Sequence, residues 1–381
     1  MVRRLIGNLI RKKLGLSPAV ALLGPRQAGK TTLAKTFSKT YFDLEQSEER
    51  LKLDLAWNDL LAAKELIVLD EVQAWPEILP RIRGAIDAHR KRQGRFLLTG
   101  SVAPGLMRGV SESLAGRLSI CELAPLSLKE IPKESAEGKL WLRGGFPNGG
   151  ILDARQFPSW QRDYLTLLAQ RDLPIWGLPA KPQVTQRLFK MLAIHHGQVW
   201  NASEIGKSLG LSYHTVSSYL DYLQNAYLIS SLQPYFRNLR KRITKRPKIY
   251  WQDSGLLHSL MGVTTPEALL SQPWVGASWE GWVIHQILFY LKARGEPFEA
   301  YYLRTGDGYE LDLILFFSKG CWAFEIKLST SPDPRDLKRL NTAADFIKAD
   351  KRLLISKTKQ TIQSKSSIST HLAGCIELLS K

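Results

Sequence analysis

The sequence predicts an α/β protein of three parts: a parallel sheet, a helical middle segment and a second α/β unit. Up to about residue 140, short apolar runs alternate with helical patterns. Helical patterns broken by prolines follow over 156–196, and two strand-like runs with a helix after them return beyond residue 300. We expect domains over 1–140, 141–247 and 248–381, a division that suits a chain of 381 residues.

Composition narrows the class of protein. Lys and Arg number 53 against 35 Asp and Glu, so the net charge is +18, which favours polyanionic partners, nucleic acid first and anionic membrane second. No run approaches the ~18 apolar residues of a membrane span. The basic N-terminus lacks a signal-peptide core and is typical of a small amphipathic helix. The three separated cysteines indicate neither zinc nor a disulfide framework. We expect a soluble cytoplasmic protein without membrane association.

The most informative stretch is a complete G-x-x-x-x-G-K-[ST] phosphate-binding loop, which lies between an apolar strand at Ala19–Leu23 and a helical run. Its glycines let backbone N–H groups face phosphates, and the helix N-terminus adds a favourable dipole. Lys30 is placed to reach the β- and γ-phosphates of ATP, and the Thr31 hydroxyl to ligate Mg²⁺. The predicted nucleotide-binding residues are Gly24, Pro25, Arg26, Gln27, Ala28, Gly29, Lys30, Thr31 and Thr32.

A second apolar strand ends in two acids, about 40 residues after the phosphate loop. Asp70 is placed to hold Mg²⁺ through water, and Glu71 to orient or deprotonate the attacking water. The next predicted strand ends at Thr99-Gly100-Ser101, at the sheet edge where ligands of open α/β folds bind. Those hydroxyls either sense the γ-phosphate or cap the following turn. The sequence thus predicts an NTPase of the phosphate-binding-loop type.

These stretches, together with Leu114-Ala115-Gly116-Arg117, resemble the prokaryotic AAA-type ATPases that carry a C-terminal domain of unknown function. The resemblance covers nearly the whole chain and implies an ATPase module with Lys30, Thr31, Asp70 and Glu71 in the roles given above. It also implies that Arg117 contacts the γ-phosphate, although pairing with a surface acid is the alternative. If Arg117 acts in trans, the active species is a homo-oligomer.

The middle segment contains a pattern typical of a helix-turn-helix and a winged-helix-like domain. Residues 201–212 give a short helix, a glycine turn and a Ser212 cap before a second helix at Tyr213–Leu223. The outward residues of that helix are placed to meet a DNA groove, or the fold serves only protein packing. A β-wing is predicted over 230–235, followed by a basic cluster suited to phosphate contacts. The cluster comprises Arg237, Arg240, Lys241, Arg242, Lys245, Arg246 and Lys248.

The C-terminal segment predicts a hairpin turning at Lys319-Gly320, with Asp312 opposite Lys327. Strand alternation then places Asp312, Glu325 and Lys327 on one face. This order resembles the restriction-endonuclease-like fold, which implies that the two acids and Glu280 hold a divalent metal and that Lys327 positions water. The alternatives to a metal site are a polar face that is simply solvated and a nuclease fold kept for DNA binding or scaffolding.

The leading hypothesis from sequence is an ATP-binding and ATP-hydrolysing, DNA-associated protein in which nucleotide state controls DNA binding or cleavage. The alternatives are a non-nucleolytic ATP-dependent switch that binds DNA or a protein, and an ATP-dependent transcription regulator.

Overall fold

The computed structural model describes residues 2–100, 113–132, 136–236 and 244–380. Two sheets organise these residues, one of five strands in the N-terminal third and one of eight strands toward the C-terminus. The α/β prediction is therefore confirmed at this level. Predicted residues that lie outside the described ranges are Ser101, Arg237, Arg240, Lys241 and Arg242.

The N-terminal sheet is parallel throughout, in the order β2-β3-β4-β1-β5. Its strands are β1 (Ala19–Leu23), β2 (Tyr41–Asp43), β3 (Ile67–Asp70), β4 (Phe96–Gly100) and β5 (Leu118–Glu122). The residues of β1, β3 and β4 are all buried, as expected for a sheet covered on both faces. Alternate side chains of β1 enter two separate cores: Ala19, Ala21 and Leu23 enter one, and Val20 and Leu22 the other.

Four helices flank this sheet in the described residues: α1 (Gly7–Leu14), α2 (Lys30–Ala34), α3 (Ser47–Ala62) and α4 (Ile78–Ala88). The predicted amphipathic N-terminal helix is α1, which buries Leu9, Ile10 and Leu14 and carries three basic residues in its last turn. Because β4 lies between β1 and β3, the carboxyl ends of all three strands meet at one edge, which brings the phosphate loop, Asp70 and Thr99 together.

The middle segment is helical, with α5 (Ala136–Arg143), α6 (Ser159–Leu167), α7 (Pro182–Ile194), α8 (Ala202–Leu209) and α9 (Tyr213–Asn225). Helical turns continue α6 through Leu168–Asp172 and Leu173–Ile175. The two predicted helices of the helix-turn-helix are α8 and α9, with Gly210 at φ +68° between them. The predicted Ser212 cap is also present, since its Oγ accepts a hydrogen bond from the Thr215 N–H at 3.1 Å.

The C-terminal sheet is mixed, in the order β12-β13-β11-β10-β9-β8-β6-β7. Its strands are β6 (Ile229–Pro234), β7 (Lys248–Trp251), β8 (Glu299–Arg304), β9 (Glu310–Phe317), β10 (Gly320–Ile326), β11 (Lys351–Ile355), β12 (Ile362–Gln363) and β13 (Ser367–Thr370). The predicted wing is β6, which pairs antiparallel with β7. The predicted 247/248 domain boundary falls between these two strands, so hydrogen bonds cross it.

The predicted register of the β9–β10 hairpin was wrong by two residues. Phe317 pairs with Gly320, so the turn is Ser318-Lys319. Ile314 lies opposite Ala323, whereas the predicted register, with Asp312 opposite Lys327, would place it opposite Glu325. Gly320 belongs to the strand, where its φ of +140° suits a glycine. A shift of two preserves the alternation of side chains, so the predicted face is unchanged.

Helices complete the C-terminal part: α10 (Ser254–Leu260), α11 (Pro266–Leu270), α12 (Val275–Arg294), α13 (Pro334–Phe346) and α14 (Leu372–Leu379). The long helix α12 is buried along most of its length and supplies several residues of the largest core. Across the described helices, none combines the length and apolarity that a membrane span requires.

Candidate functional site

The phosphate loop joins β1 to α2 in a conformation that requires glycine. Gly24 has a φ of +153°, and a Cβ there would lie 2.3 Å from the Leu123 carbonyl oxygen. Gly29, at φ +93°, immediately precedes the first residue of α2. Any larger residue at Gly24 would push β5 away from β1. The loop therefore presents its backbone N–H groups and the N-terminus of α2 at the sheet edge.

Lys30 lies buried beneath this loop. Its ammonium group donates hydrogen bonds to the carbonyl oxygens of Gly24 at 3.0 Å and Pro25 at 2.9 Å. Burial lowers the pKa of Lys30 to about 8, although the nearby Glu71 and Asp70 carboxylates oppose the shift. The lysine is thus held beside the loop in a setting that favours an added anion.

Asp70 ends β3 and is 2% exposed. The Tyr41 hydroxyl donates to one carboxylate oxygen at 2.7 Å, and the Thr99 hydroxyl donates to the other. Thr99 reaches Asp70 because β3 and β4 are neighbours in the sheet. The structure thus places Thr99, one of the two predicted sensing hydroxyls, directly on the Asp70 carboxylate.

Glu71 follows at a positive φ of +52° and receives a hydrogen bond from the Gln73 amide. Burial raises the pKa of Glu71 above its usual range, against the opposing effects of Gln73 and Lys30. A carboxylate with a raised pKa is a better proton acceptor from water than an ordinary glutamate. Its position beside the phosphate loop suits that role.

A cavity of about 590 Å³ opens in front of the phosphate loop. This volume lies in the range of pockets for cofactor-sized ligands. Lys30, Thr31 and Glu71 line one side of the cavity. The middle segment lines the other side, with Pro147, Asn148, Leu152 and Arg171, and Arg4 contributes from the N-terminus. Sequence reasoning did not find these five residues, because no local motif marks them.

A buried carboxylate connects the phosphate loop to the middle segment. Asp172 Oδ1 accepts a hydrogen bond from Arg26 of the loop at 2.7 Å and another from Arg171 at 3.1 Å. Both arginines also line the cavity. Further contacts run from the Trp160 indole to Gln27 at 3.2 Å and from the Tyr164 hydroxyl to the Arg26 carbonyl at 3.3 Å. Arg26 and Gln27, which occupy positions that the phosphate-loop motif leaves unspecified, therefore contact the helical middle segment.

The donor set fits Mg²⁺. Thr31 lines the cavity at the start of α2, and the Asp70 carboxylate ends strand β3 at the same edge of the sheet. Hydroxyl and carboxylate oxygens are the ligands that this small, hard cation prefers in nucleotide sites. Thr31 and Asp70 are therefore the residues that would hold the ion together with nucleotide phosphates.

Arg117 is not among the described residues that line the cavity. Its Nε and Nη2 donate to the two carboxylate oxygens of Asp87 at 2.9 and 3.0 Å. In the single chain, Arg117 therefore pairs with a surface acid, which is the alternative that the sequence left open. A role in trans stays a prediction.

The helix-turn-helix presents a polar N-terminal end of α9. Tyr213, His214 and Ser218 are exposed, whereas Val216, Leu220 and Leu223 are buried as the sequence predicted. In helix-turn-helix proteins that bind DNA, the N-terminal residues of the second helix contact base edges. The outward residues are thus available for such a contact.

The C-terminal acids are brought together, but with lysines between them. Lys248 is 3% exposed in its side chain and lies 3.0 Å from Glu280 and 2.7 Å from Glu310. Lys327 lies 2.5 Å from Glu325. The Asp312 carboxylate accepts the Ile326 N–H at 2.8 Å. Lys248 was grouped with the basic cluster predicted to contact phosphates, but its side chain is buried and pairs with these acids.

The electrostatics of this cluster follow from burial. Burial raises the pKa of Asp312 well above its usual range, and the nearby Glu280 and Glu325 carboxylates add to the shift. For Lys248, burial lowers the pKa, but Glu280 and its other neighbours outweigh that effect and the pKa is raised. Among the described side chains, no group of three or more His, Cys, Asp or Glu is arranged to hold a metal ion. Metal binding by Asp312, Glu325 and Glu280 stays a prediction.

Comparison with known protein families divides the chain into three matched regions. Residues 16–132 match an AAA domain. Residues 136–267 match a domain of unknown function (DUF8612), and residues 275–373 match another (DUF4143). The AAA match contains the phosphate loop, Asp70 and Glu71.

Among solved structures, the chain is similar to a Walker-type ATPase of Pyrococcus abyssi, with a TM-score of 0.45 and 15% identity, covering 67% of this chain and 94% of that one. DnaA of Aquifex aeolicus bound to AMPPCP gives a TM-score of 0.29 and 13% identity, covering 57% and 85%. TM-scores this low do not support a family assignment, so the assignment rests on the sequence matches.

An uncharacterized protein of Mycobacterium tuberculosis is 37% identical over 335 residues, which cover 87% of this chain and 75% of the relative. An uncharacterized protein of Haemophilus influenzae is 24% identical over 218 residues, covering 52% of this chain and 53% of that protein. The chain therefore belongs, with the mycobacterial protein, to the AAA-type ATPase family that carries the C-terminal domain DUF4143.

Proposed function

We propose that this protein is a Mg²⁺-dependent ATP hydrolase whose nucleotide state controls its contact with DNA. The cavity of about 590 Å³ that Lys30, Thr31 and Glu71 line together is the observation that carries the proposal. A lysine, a hydroxyl and a carboxylate of raised pKa are the side chains that phosphoryl transfer to water requires.

In this mechanism the protein positions phosphates and water. The loop N–H groups and Lys30 hold the phosphate oxygens, and the Lys30 ammonium leaves the Gly24 and Pro25 carbonyls to do so. Glu71 accepts a proton from the attacking water. Mg²⁺, held by Thr31 and Asp70, would neutralise charge on the phosphates. Thr99 and Tyr41 orient the Asp70 carboxylate through their hydrogen bonds.

Asp172 is the proposed link between nucleotide and conformation. It holds two arginines of the cavity wall, Arg26 and Arg171, in the absence of nucleotide. A triphosphate is a stronger competitor for guanidinium groups than one carboxylate, because it carries more negative charge. Binding ATP then weakens the tie between the phosphate loop and the middle segment. A ligand shifts a conformational equilibrium only through such a difference in contacts.

The middle segment is the proposed carrier of DNA binding. The cores of α6, α8 and α9 belong to one hydrophobic cluster, so a displacement of the α6 end moves the helix-turn-helix with it. The exposed Tyr213 and His214 lie at the end of α9 that suits groove contact. The net charge of +18 supports binding to a polyanion.

For the C-terminal cluster we propose a non-nucleolytic role. Lys248 lies 3.0 Å from Glu280 and 2.7 Å from Glu310, and Lys327 pairs with Glu325. Each ion pair with a lysine reduces the negative charge that would attract a divalent ion. This proposal follows the non-nucleolytic alternative that the sequence left open.

The test is phosphate release by the purified protein with ATP and Mg²⁺, with and without duplex DNA. Lys30→Ala should lose activity and ATP binding, whereas Lys39→Ala, an exposed lysine of the same third of the chain, should keep both. Unchanged activity in Lys30→Ala would overturn the site assignment. The same reactions should leave supercoiled DNA uncut, and nicking that depends on Glu325 would overturn the non-nucleolytic proposal.

A further inference from the structure

Arg4 lies beside the phosphate loop, just before α1, and has no part in the mechanism proposed above. Its side chain is 8% exposed and lines the nucleotide cavity. The guanidinium group of arginine is always charged, and such a group is seldom buried unless it has partners that need it there. A buried arginine at the wall of a phosphate site therefore calls for a specific role.

The three nitrogens of the Arg4 guanidinium are each directed at a protein acceptor. Nη1 donates to the Ala28 carbonyl of the phosphate loop at 2.8 Å, and Nε donates to Glu130 Oε1 at 3.1 Å. Nη2 donates to the carbonyl of Ala124, which follows β5. This arrangement favours a role in holding the loop over direct binding of a phosphate, because all three nitrogens already serve the protein.

Glu130 anchors Arg4 from the side away from the loop. The glutamate side chain is 5% exposed, and its Oε2 accepts hydrogen bonds from the Ser127 N–H at 3.0 Å and the Ser127 hydroxyl at 3.1 Å. Close by, the Leu128 N–H donates to the side chain of Gln286 on α12 at 2.8 Å. The segment that receives Arg4 is therefore fixed both within itself and against the C-terminal part of the chain.

The contact with the Ala28 carbonyl also sets the direction of the next N–H group. A trans peptide is planar, so the Ala28 carbonyl and the Gly29 N–H point in opposite directions. With the carbonyl turned toward Arg4, the Gly29 N–H is turned away from it, and N–H groups of this loop are the ones that bind phosphates. Gly29 has a φ of +93°, and glycine tolerates many backbone angles. A contact from outside the loop is therefore what restricts this peptide to one orientation.

We propose that Arg4 is a positioning residue for the phosphate loop, which holds the Ala28–Gly29 peptide so that the Gly29 N–H faces the nucleotide phosphates. The inference rests on the proposed ATP site and adds to it a residue outside the loop motif. Arg4 acts before the nucleotide arrives, because a loop that is already ordered loses less entropy on binding. Since its anchor is fixed to α12, the C-terminal part of the chain supports the ATP site through this contact.

Amide hydrogen exchange of the full chain without nucleotide measures the order of the loop directly. Arg4→Gln should speed exchange at Gly29 at least about fivefold and leave the C-terminal sheet unchanged. Arg4→Lys, which keeps the charge but not the planar fork, should give an intermediate rate. Arg3→Gln is the matched control, since Arg3 is adjacent and exposed, and it should leave the loop unchanged. Unchanged exchange at Gly29 in Arg4→Gln, or an equal increase throughout the chain, would overturn the role.

Nucleotide binding and turnover in the same variants separate this inference from the proposed function. In Arg4→Gln the Kd for a non-hydrolysable ATP analogue should rise at least about fivefold, and the KM for ATP should rise more than kcat falls. A variant that only folded poorly would contain less active protein, so its apparent kcat would fall at an unchanged KM. An unchanged Kd in Arg4→Gln would overturn the inference alone, whereas absence of ATP binding by the unaltered protein would contradict the proposed function.

Discussion

The hydrogen bonds that join Asp172 of the middle segment to Arg26 and Arg171 lead to an unexpected prediction, namely that a substitution in the site strengthens ATP binding. Asp172→Asn should tighten ATP binding, because it removes the carboxylate with which the phosphates compete for Arg26 and Arg171. Asparagine has the same shape and still accepts one hydrogen bond, so the helical turn around it is preserved. Most substitutions in a binding site would instead weaken ATP binding.

The magnitude follows from the contact itself. The Arg26–Asp172 distance is 2.7 Å, and the side chains are 24% and 7% exposed. A hydrogen bond to a charged group contributes about 1.5–3 kcal/mol, and partial exposure of the arginine reduces that figure. We therefore assign about 1–2 kcal/mol to the pair, which corresponds to about 5- to 30-fold in the Kd for ATP.

The assay is isothermal titration with a non-hydrolysable ATP analogue. Arg26→Gln should weaken binding, and combining it with Asp172→Asn should remove most of the gain seen in Asp172→Asn alone. Asp333→Asn is the matched control, since Asp333 pairs with Arg335 at 2.7 Å on the exposed surface of the C-terminal part. Unchanged or weaker ATP binding by Asp172→Asn would refute the proposal that the phosphates compete with Asp172 for the two arginines.

Three further predictions concern titratable residues. At pH 8, close to the free-state pKa of Lys30, ATP binding should take up about half a proton, seen as buffer-dependent titration heats that fade by pH 6.5; Lys30→Arg, always charged, should show no such uptake. Glu71→Gln should retain ATP binding and lose about 10²–10⁴-fold in turnover, the usual contribution of a general base, and near-normal turnover would exclude Glu71 from that role. Lys248→Met should destabilise the fold by at most about 3 kcal/mol, because it removes the buried partner of Glu280 and Glu310, whose side chains are 16% and 33% exposed. Since burial raises the pKa of Asp312, that loss should decrease as the pH falls and Asp312 takes up a proton. Urea unfolding measures it, with exposed Lys338→Met as the control.

The elements that the sequence predicted well are those specified locally. The phosphate loop, Asp70 at the end of β3 and the Ser212 cap each depend on residues within one strand–turn–helix unit. Their side chains and backbone angles are set by neighbours a few positions away. Such motifs can therefore be recognised from the sequence without knowledge of the tertiary fold.

The relations that the sequence did not reveal join distant segments. Arg26 and Asp172 are 146 positions apart, and Lys248 meets Glu280 and Glu310 only because β7 and α12 converge on β9. Register fails for a related reason: assigning Gly320 to the turn instead of the strand moves every cross-strand partner in the hairpin. The local sequence likewise grouped Lys248 with the basic cluster, although its side chain is buried beside Glu280 and Glu310.

The central claim is that nucleotide state changes DNA affinity. The most direct measurement is the Kd of Glu71→Gln for a labelled duplex, by anisotropy, without nucleotide and with saturating ATP. Coupling of the usual size predicts that the two Kd values differ by at least about fivefold. Equal Kd values, in a preparation shown to bind ATP, would contradict the account.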